Sequence, residues 1–206
     1  MKLLAIDCAT EACSVALFEH GALLHDDYRV LGRGHAELLV PMIAALPGKG
    51  RANRIAVSLG PGSFTGLRVG LAAARALALA WRAELVGYPT LALVAAMARA
   101  ECGDRPVDVV MNGGHGEWFV QQFAADGTAL APAHSLAPES AASKLGSALV
   151  AGSRASELVA RRGSGEAIEL WPDARQVLLL PEDAFLAEPT LSYGRAPDAR
   201  LPGAAA

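Results

Sequence analysis

The chain has 206 residues and a mass of 21.3 kDa, a length that can bury a substantial core in one large or two small domains. Its net charge of −3 lacks the basic excess that is typical of nucleic-acid-binding proteins. Three scattered cysteines are too few for a disulfide framework and favour a reducing compartment, and the composition also excludes collagen-like, transmembrane and bulk-disordered classes.

The first half of the chain predicts three short strands followed by alternating helices and strands. Turn signals at 9–11 and 19–21 separate the first three strands, and such short connections force antiparallel pairing into a meander. Tight strand–helix–strand links further on predict a right-handed parallel crossover. We expect Pro41 to bend the first helix and Thr90 to cap the third. The expected strands are 2–6, 13–18, 22–30, 54–59 and 84–87, and the expected helices are 35–46, 64–82 and 90–99.

The second half predicts a weaker copy of the same pattern. Each half opens with a hairpin and continues into alternating helices and strands, which indicates a degenerate duplication of one α/β unit. The predicted strands are 107–111, 117–123, 128–136 and 148–151, and the predicted helices are 138–145 and 153–161. Periodicity fades after residue 186, and we expect the tail 201–206 to be disordered.

This order of elements predicts an α/β fold with two ribonuclease-H-like lobes of the actin/sugar-kinase type. Each lobe is expected to hold a mixed five-stranded sheet with flanking helices, the second lobe being degenerate. We place the N-terminal lobe, with its partner-binding helices, at 1–103. The smaller C-terminal lobe with a flexible tail is placed at 104–206.

Two features of the first lobe could lie near a nucleotide or another anion. Asp7 ends the first strand, where actin-like ATPases carry a carboxylate, but Asp7-Cys8-Ala9-Thr10 lacks the glycine of their Asp-x-Gly-Thr turn. The alternative is an Asp that only accepts backbone hydrogen bonds in a turn. The glycine-rich loop 60–66 joins a strand to a helix N-terminus, which suits anions, although it is not a Walker A loop. The candidate residues are Asp7, Thr10, Gly60, Gly62, Ser63 and Arg68.

Each of these features also has a plain structural interpretation. The loop 60–66 could simply pack under the sheet. Arg68 could neutralise a phosphate, but it recurs with Arg75 and Arg82 every seven residues. That spacing is also what the solvated edge of an otherwise apolar helix would show.

The sequence predicts no catalytic residues and no metal site. None of the five histidines has another three or four residues away, so a helical metal-ligand pair is missing. The fourth strand ends in Ser58-Leu59-Gly60 and supplies no carboxylate for two-metal nuclease chemistry. Ser63 lies in no Gly-x-Ser-x-Gly elbow.

The helices predicted at 35–46 and 64–82 are apolar around most of their circumference. One side of each must cover the sheet, so the other side needs a second cover, which is a partner helix pair or the second lobe. Mean hydropathy is +0.30 without an uninterrupted apolar run of about 20 residues, which favours a protein partner over a bilayer. The residues expected at this interface are His35, Leu38, Leu39, Met42, Ile43, Leu67, Gly70, Leu71 and Ala74.

Three segments together resemble the TsaB family over residues 1–100. They are Ala5-Ile6-Asp7-Cys8-Ala9-Thr10-Glu11-Ala12-Cys13-Ser14-Val15-Ala16-Leu17, His35-x-Glu37-Leu38-Leu39-x-Pro41-Met42-Ile43 and Gly60-Pro61-Gly62-Ser63-Phe64-Thr65-Gly66-Leu67-Arg68-Val69-Gly70. The resemblance implies a bacterial, cytoplasmic and non-catalytic paralogue of TsaD within the glycoprotease-like superfamily. With TsaD and the ATPase TsaE, such a protein would serve the transfer of threonylcarbamoyl to the adenosine beside the anticodon of tRNAs that read A-starting codons.

The resemblance also implies a set of partners. TsaD would pair with the two N-terminal helices, TsaE would join a ternary complex, and a homodimer could use the same helices. No cofactor would be tightly bound, although an adenine nucleotide could sit at the partner boundary. tRNA would be reached only through the complex, and no membrane is implied.

Two departures and two alternatives accompany this prediction. The segments 112–117 and 189–195 depart from the family's signatures, which puts ligand contacts of the second lobe in doubt.

The alternatives are an actin-like ATPase or phosphotransferase and, with less support, a glycoprotease-type peptidase. Asn112 stands where the phosphotransferase would need its second carboxylate and cannot act as a base.

Overall fold

The computed structural model describes residues 1–32 and 34–194 and builds two β-sheets with flanking helices. The predicted disordered tail at 201–206 lies outside the described residues. The strands are β1 Lys2–Asp7, β2 Ala12–Glu19, β3 Ala22–Val30, β4 Arg54–Ser58, β5 Glu84–Tyr88, β6 Val107–Gly114, β7 Glu117–Phe123, β8 His134–Leu136, β9 Leu149–Ala151 and β10 Glu166–Ile168. The α-helices are α1 His35–Ala45, α2 Phe64–Trp81, α3 Thr90–Cys102, α4 Pro138–Lys144 and α5 Ala155–Arg162.

The two sheets have the same topology, which confirms the predicted duplication. The first sheet has the strand order β3-β2-β1-β4-β5, and the second has β8-β7-β6-β9-β10 when read in the same sense. In each sheet the first three strands form an antiparallel meander and the last two continue in parallel. The predicted fold class of two mixed five-stranded sheets is therefore confirmed.

Several predicted elements differ from the structure in their details. The strand expected at 128–136 is reduced to β8, with a single bridge between Phe123 and Ala129, and β10 was not anticipated. Thr90 is the first residue of α3 rather than its cap, because its hydroxyl accepts a hydrogen bond from the Gly60 amide at 3.0 Å. α1 continues through Pro41.

The end of the described chain returns to the first lobe. The 3-10 segment Ala174–Leu179 packs on the face of the first sheet opposite α1 and α2, and Ala174 N donates to Ser14 Oγ at 2.9 Å. Further on, Leu186 pairs with Gly87 at the edge of β5. The proposed division at 103 therefore places residues 174–192 with the wrong sheet, since these residues complete the first lobe.

α2 is the longest described helix, and it alone among the described helices has the length and hydropathy of a membrane-spanning segment. It packs on β1, β4 and β5, the usual place of a helix in an α/β unit. Leu67, Leu71 and Ala74 form its buried side, yet only 28% of the helix is buried. α2 therefore buries one side on the sheet and leaves apolar residues such as Ala72, Ala76 and Leu79 exposed on the other.

Candidate functional site

The C-terminal ends of β1 and β4 bring together the turn 8–11 and the loop 59–63. Asp7, at the end of β1, is only 1% exposed. Its Oδ1 accepts a hydrogen bond from the Ala9 amide at 2.9 Å, and its Oδ2 accepts one from the Tyr88 hydroxyl at 3.0 Å. Burial raises the pKa of Asp7 to about 6, and these hydrogen bonds offset only part of that effect. Asp7 is thus a buried turn residue whose carboxylate is enclosed by its own lobe.

The glycine-rich loop packs directly against the turn that follows β1. Ser63 N donates to the Ala9 carbonyl at 2.7 Å. A Cβ on Gly62 would clash with the Ala9 carbonyl, and one on Gly66 would clash with the Cys8 carbonyl. The glycines are therefore required for close backbone packing of the loop on the turn, as the structural interpretation of the loop expected.

The first turn of α2 is already partly capped. The Ser63 side chain accepts a hydrogen bond from Gly66 N at 3.3 Å. Gly60 has φ +98° and packs against the Ser192 carbonyl, so the C-terminal segment lies across the base of the loop. The structure thus brings the candidate residues Gly60, Gly62 and Ser63 together with the turn, while anion binding at this place stays a prediction.

Thr10 and Arg68, the other two anion candidates, make contacts that do not involve Asp7. The Thr10 carbonyl accepts from His35 Nε2 at 2.9 Å, which ties the start of α1 to the turn. Arg68 lies over the Phe64 ring at 3.6 Å and donates from Nε to the Tyr193 hydroxyl at 3.2 Å. Arg68 therefore lies between the aromatic rings of Phe64 on α2 and Tyr193 of the C-terminal segment rather than at the turn.

The residues expected at the partner interface lie mostly inside the first lobe. Leu38 is half-buried, while the other eight are buried within the chain, and five of them belong to one core cluster beneath the sheet. This corrects the predicted interface. Because both helices are apolar on nearly every side, their sequences do not show which side faces the sheet, and the predicted interface residues lie on the side that packs in the core. The buried residues are His35, Leu39, Met42, Ile43, Leu67, Gly70, Leu71 and Ala74.

The outward-facing surface of the same two helices is the candidate interaction site. We define this outer face by Val40, Pro41 and Ala44 of α1 with Ala72, Ala76 and Leu79 of α2, all of which are exposed. Val40 is 58% exposed and Leu79 is 84% exposed. Exposed apolar side chains on two helices that contact each other are typical of a protein-interaction surface.

Two contacts near this site were not anticipated from the sequence. Asn112 Nδ2 donates to Glu11 Oε1 at 3.0 Å and so joins the turns of the two lobes. The segment 186–194 runs along α2, where Arg75 Nη2 donates to the Pro189 carbonyl at 3.1 Å. The sequence of that segment carries no periodicity that predicts its path.

Comparisons with known proteins agree with this architecture. Residues 29–183 match the family model described as TsaD, tRNA N6-adenosine threonylcarbamoyltransferase. The chain belongs to the TsaD family. The match covers most of the chain, including α1, α2, the parallel strands β4 and β5 of the first sheet and the whole second sheet.

Within this family, several similar curated proteins are TsaB proteins, which confirms the predicted resemblance. The chain is 35% identical over 131 residues to the tRNA threonylcarbamoyladenosine biosynthesis protein TsaB of Escherichia coli, covering 61% of this chain and 56% of that protein. It is 39% identical over 105 residues to the Haemophilus influenzae TsaB, covering 48% and 43% of the two chains. These alignments span only about half the length of the curated relatives.

A solved structure extends the similarity over nearly the whole fold. The structure of YeaZ from Pseudomonas aeruginosa superimposes with a TM-score of 0.72 at 29% identity. The superposition covers 86% of this chain and 88% of that one. Both lobes of this TsaD-family chain therefore match the fold of a solved relative.

Proposed function

We propose that this chain is a non-catalytic scaffolding subunit of the complex that adds threonylcarbamoyl to the adenosine next to the anticodon of tRNAs reading A-starting codons. It acts by binding and activating TsaD. The similarity to TsaB proteins supports the pathway, and the exposed outer face supports a role in assembly.

The outer face is the observation on which the proposal rests. α2 has the hydropathy of a membrane span, and its exposed side carries Ala72, Ala76 and Leu79, of which Leu79 is 84% exposed. Exposed apolar side chains of this kind are typical of a surface that another protein covers. A second helix pair docked on α1 and α2 would remove Val40 and Leu79 from water and form a four-helix contact.

The surroundings of Asp7 and of the turn that follows it support a non-catalytic role. The carboxylate of Asp7 is enclosed by Ala9 and Tyr88, and the loop 60–66 packs on the turn where a phosphate would need room. At the end of β6, the counterpart of β1, the chain carries Asn112, whose amide cannot act as a general base.

The same proposal includes the wider assembly. TsaE joins the chain and TsaD in a ternary complex, and a homodimer uses the same helices when TsaD is absent. An adenine nucleotide binds, if at all, at the partner boundary and weakly, and tRNA is held only by the complex. The working location is the cytoplasm.

A reconstituted reaction tests the proposal. TsaD and TsaE of the same organism are supplied with threonylcarbamoyl-adenylate and unmodified tRNA, with and without this chain, and the modified adenosine is quantified by mass spectrometry. We expect modification only when the chain is present, and co-elution of the chain with TsaD. Equal modification without the chain would overturn the proposal. ATP turnover by the chain alone at about 1 per second would favour a phosphotransferase instead.

A further inference from the structure

Two of the three cysteines lie opposite each other beside the turn that joins β1 to β2. The register of this hairpin pairs Asp7 with Ser14, so the next pair towards the turn is Cys8 with Cys13. Their sulfurs are 3.6 Å apart, and both residues belong to the core cluster beneath the first sheet. Directly opposite residues on antiparallel strands carry their side chains on the same face of the sheet, which accounts for this proximity.

The backbone spacing at this position suits a disulfide bond. Directly opposite residues of an antiparallel pair have Cα atoms about 4.5–5.5 Å apart. A disulfide accepts Cα separations of about 4.4–6.8 Å and holds its sulfurs about 2 Å apart. Rotation of the Cys8 and Cys13 side chains can therefore close the 3.6 Å gap without a shift of the strands.

The two thiols differ in acidity. Their mutual hydrogen bond raises the pKa of Cys8 and lowers the pKa of Cys13. Burial of Cys13 and the carboxylates of Asp7 and Asp27 oppose the lowering without reversing it. Cys8 therefore donates, and Cys13 carries the negative charge when the pair loses one proton. Because the thiolate is the nucleophile in sulfur chemistry, Cys13 is the sulfur that attacks first.

Burial selects the oxidant that reaches this pair. Cys8 and Cys13 are both 0% exposed. Hydrogen peroxide is close to water in size, whereas a low-molecular-weight disulfide such as oxidised glutathione is too large to contact a buried sulfur. We propose that Cys8 and Cys13 form a modification site at which hydrogen peroxide converts two thiols into an intramolecular disulfide.

The reaction is a two-electron oxidation in two steps. The Cys13 thiolate attacks one oxygen of the peroxide, so that an S–O bond forms and the O–O bond breaks. The hydroxide that leaves takes up the proton released by Cys13 and becomes water. Cys8 then attacks the sulfenic acid on Cys13, the S–S bond forms and the S–O bond breaks. The second hydroxide leaves with the Cys8 proton as water, so one peroxide is reduced and two thiols are oxidised.

The disulfide would fix a turn to which several parts of the first lobe attach. Gly66 packs against the Cys8 carbonyl, and the Thr10 carbonyl accepts from His35. A covalent link between Cys8 and Cys13 removes conformations from the unfolded chain, although the closed loop is short. We therefore expect the oxidised chain to melt about 5 °C higher than the reduced chain.

A variant that keeps only this pair of thiols tests the proposal. The third cysteine, Cys102 at the end of α3, is partly exposed. The chain with Cys102→Ser is treated with hydrogen peroxide or with the same concentration of oxidised glutathione, and its intact mass and its thiols in denaturant are followed over time. We expect peroxide to remove both thiols with a mass loss of about 2 Da, at least about tenfold faster than oxidised glutathione. Dithiothreitol should reverse the change, and peptide mapping should link Cys8 to Cys13.

The matched controls are Cys8→Ala and Cys13→Ala, each combined with Cys102→Ser and checked for folding by melting curves. Neither should show the mass loss. The inference is overturned if peroxide adds oxygen to the Cys102→Ser chain without closing the disulfide, or if it links two chains instead. Equal rates with the two oxidants would also overturn it, because the disulfide would then form only in the unfolded chain. These measurements use the isolated chain, so their outcome is independent of the proposed function.

Discussion

The helix pair α1–α2 of the first lobe and the pair α4–α5 of the second occupy equivalent places in the duplicated fold but differ in length and charge. α1 and α2 have 11 and 18 residues, whereas α4 and α5 have 7 and 8. In the second lobe, Arg161 of α5 pairs with Glu139 of α4 at 2.8 Å. The second pair thus has an ion pair between its two helices, whereas Arg68 and Arg75 of α2 make no ion pair within the described residues and the first pair keeps an exposed apolar face.

The buried carboxylates of the two lobes also differ in their charged neighbours. Asp108 in β6 is completely buried but receives hydrogen bonds from Ser147 and lies 3.6 Å from Arg162. Asp7 in β1 is buried with hydrogen bonds from Ala9 and Tyr88 and no ion pair within the described chain. The second lobe therefore has a stabilising ion pair where the first has an uncompensated carboxyl group.

The largest expected effect comes from placing a charge on the inner side of α2. Leu71→Arg puts a cation into the core cluster beneath the first sheet, at a cost of about 4 kcal/mol or more. Such a loss approaches the whole stability of a typical domain, so we expect no cooperative melting transition near that of the wild type. The matched control is Ala72→Arg, one residue further on and exposed, which we expect to fold normally. If Leu71→Arg instead melts like the wild type but no longer binds TsaD, Leu71 lies at the interface and not in the core.

The second-largest loss of stability is expected from removal of the buried carboxylate of the second lobe. Asp108→Ala removes the acceptor of the Ser147 amide and hydroxyl and leaves the buried Arg162 guanidinium without a carboxylate. We expect a loss of about 3–5 kcal/mol in the free energy of unfolding, measured by urea denaturation. A loss below about 1 kcal/mol would show that water replaces the hydrogen bonds of Asp108. The ion pair of Asp108 would then not distinguish the stability of the second lobe from that of the first.

Charges on the outer face should separate binding from folding. Val40→Glu and Leu79→Glu place carboxylates at exposed positions, so the melting temperature should stay close to that of the wild type. Each would bury a charge at the interface with TsaD, and we expect affinity to fall about a hundredfold, or about 2.7 kcal/mol. Ser156→Glu on α5 is the matched control and should leave binding unchanged. Unchanged affinity in both outer-face variants, measured by calorimetry, would place the partner elsewhere.

The sequence predicted the fold well because its signals are local. Short turns impose the meander, and tight strand–helix–strand links impose the parallel crossover, so the first sheet follows from spacing, whereas the bounds of β8 and the presence of β10 in the second sheet do not. β10 could be expected only from the duplication, because Glu166–Ile168 is too short and too polar for its own sequence to predict a strand.

The site was harder to predict because its contacts are long-range. Leu39 and Leu71 were assigned to the interface because an apolar helix without a polar side gives no helical phase. The path of 186–194 along α2 depends on contacts such as Arg75 with the Pro189 carbonyl, which join residues over a hundred positions apart. The enclosure of Asp7 by Tyr88 likewise joins the ends of two strands that sequence spacing cannot align.

The smallest expected effect concerns Asp7 and depends on pH. Its pKa is raised by burial from 3.8 to about 6, so the folded chain binds more protons than the unfolded chain between about pH 4 and pH 6. Stability contributed by this group is therefore present below pH 4 and is lost as the pH rises to 6. Asp7→Asn removes the titration, and its amide oxygen can still accept from Ala9 N.

We expect Asp7→Asn to be more stable than the wild type at pH 7, by about 1–3 kcal/mol, because a shift of one pKa unit corresponds to 1.36 kcal/mol. Urea denaturation at pH 4, 5, 6 and 7 should show the difference growing between pH 4 and 6 and constant above. Tyr88→Phe is the matched control: it removes the hydroxyl that donates to Oδ2, so it should raise the pKa of Asp7 further and extend the slope above pH 6. A variant Asp7→Asn that is less stable than the wild type at pH 7 would show that the hydrogen bonds from Ala9 and Tyr88 outweigh the burial of the charge. Asp7 would then stabilise its lobe as Asp108 does, and the contrast between the two buried carboxylates would disappear.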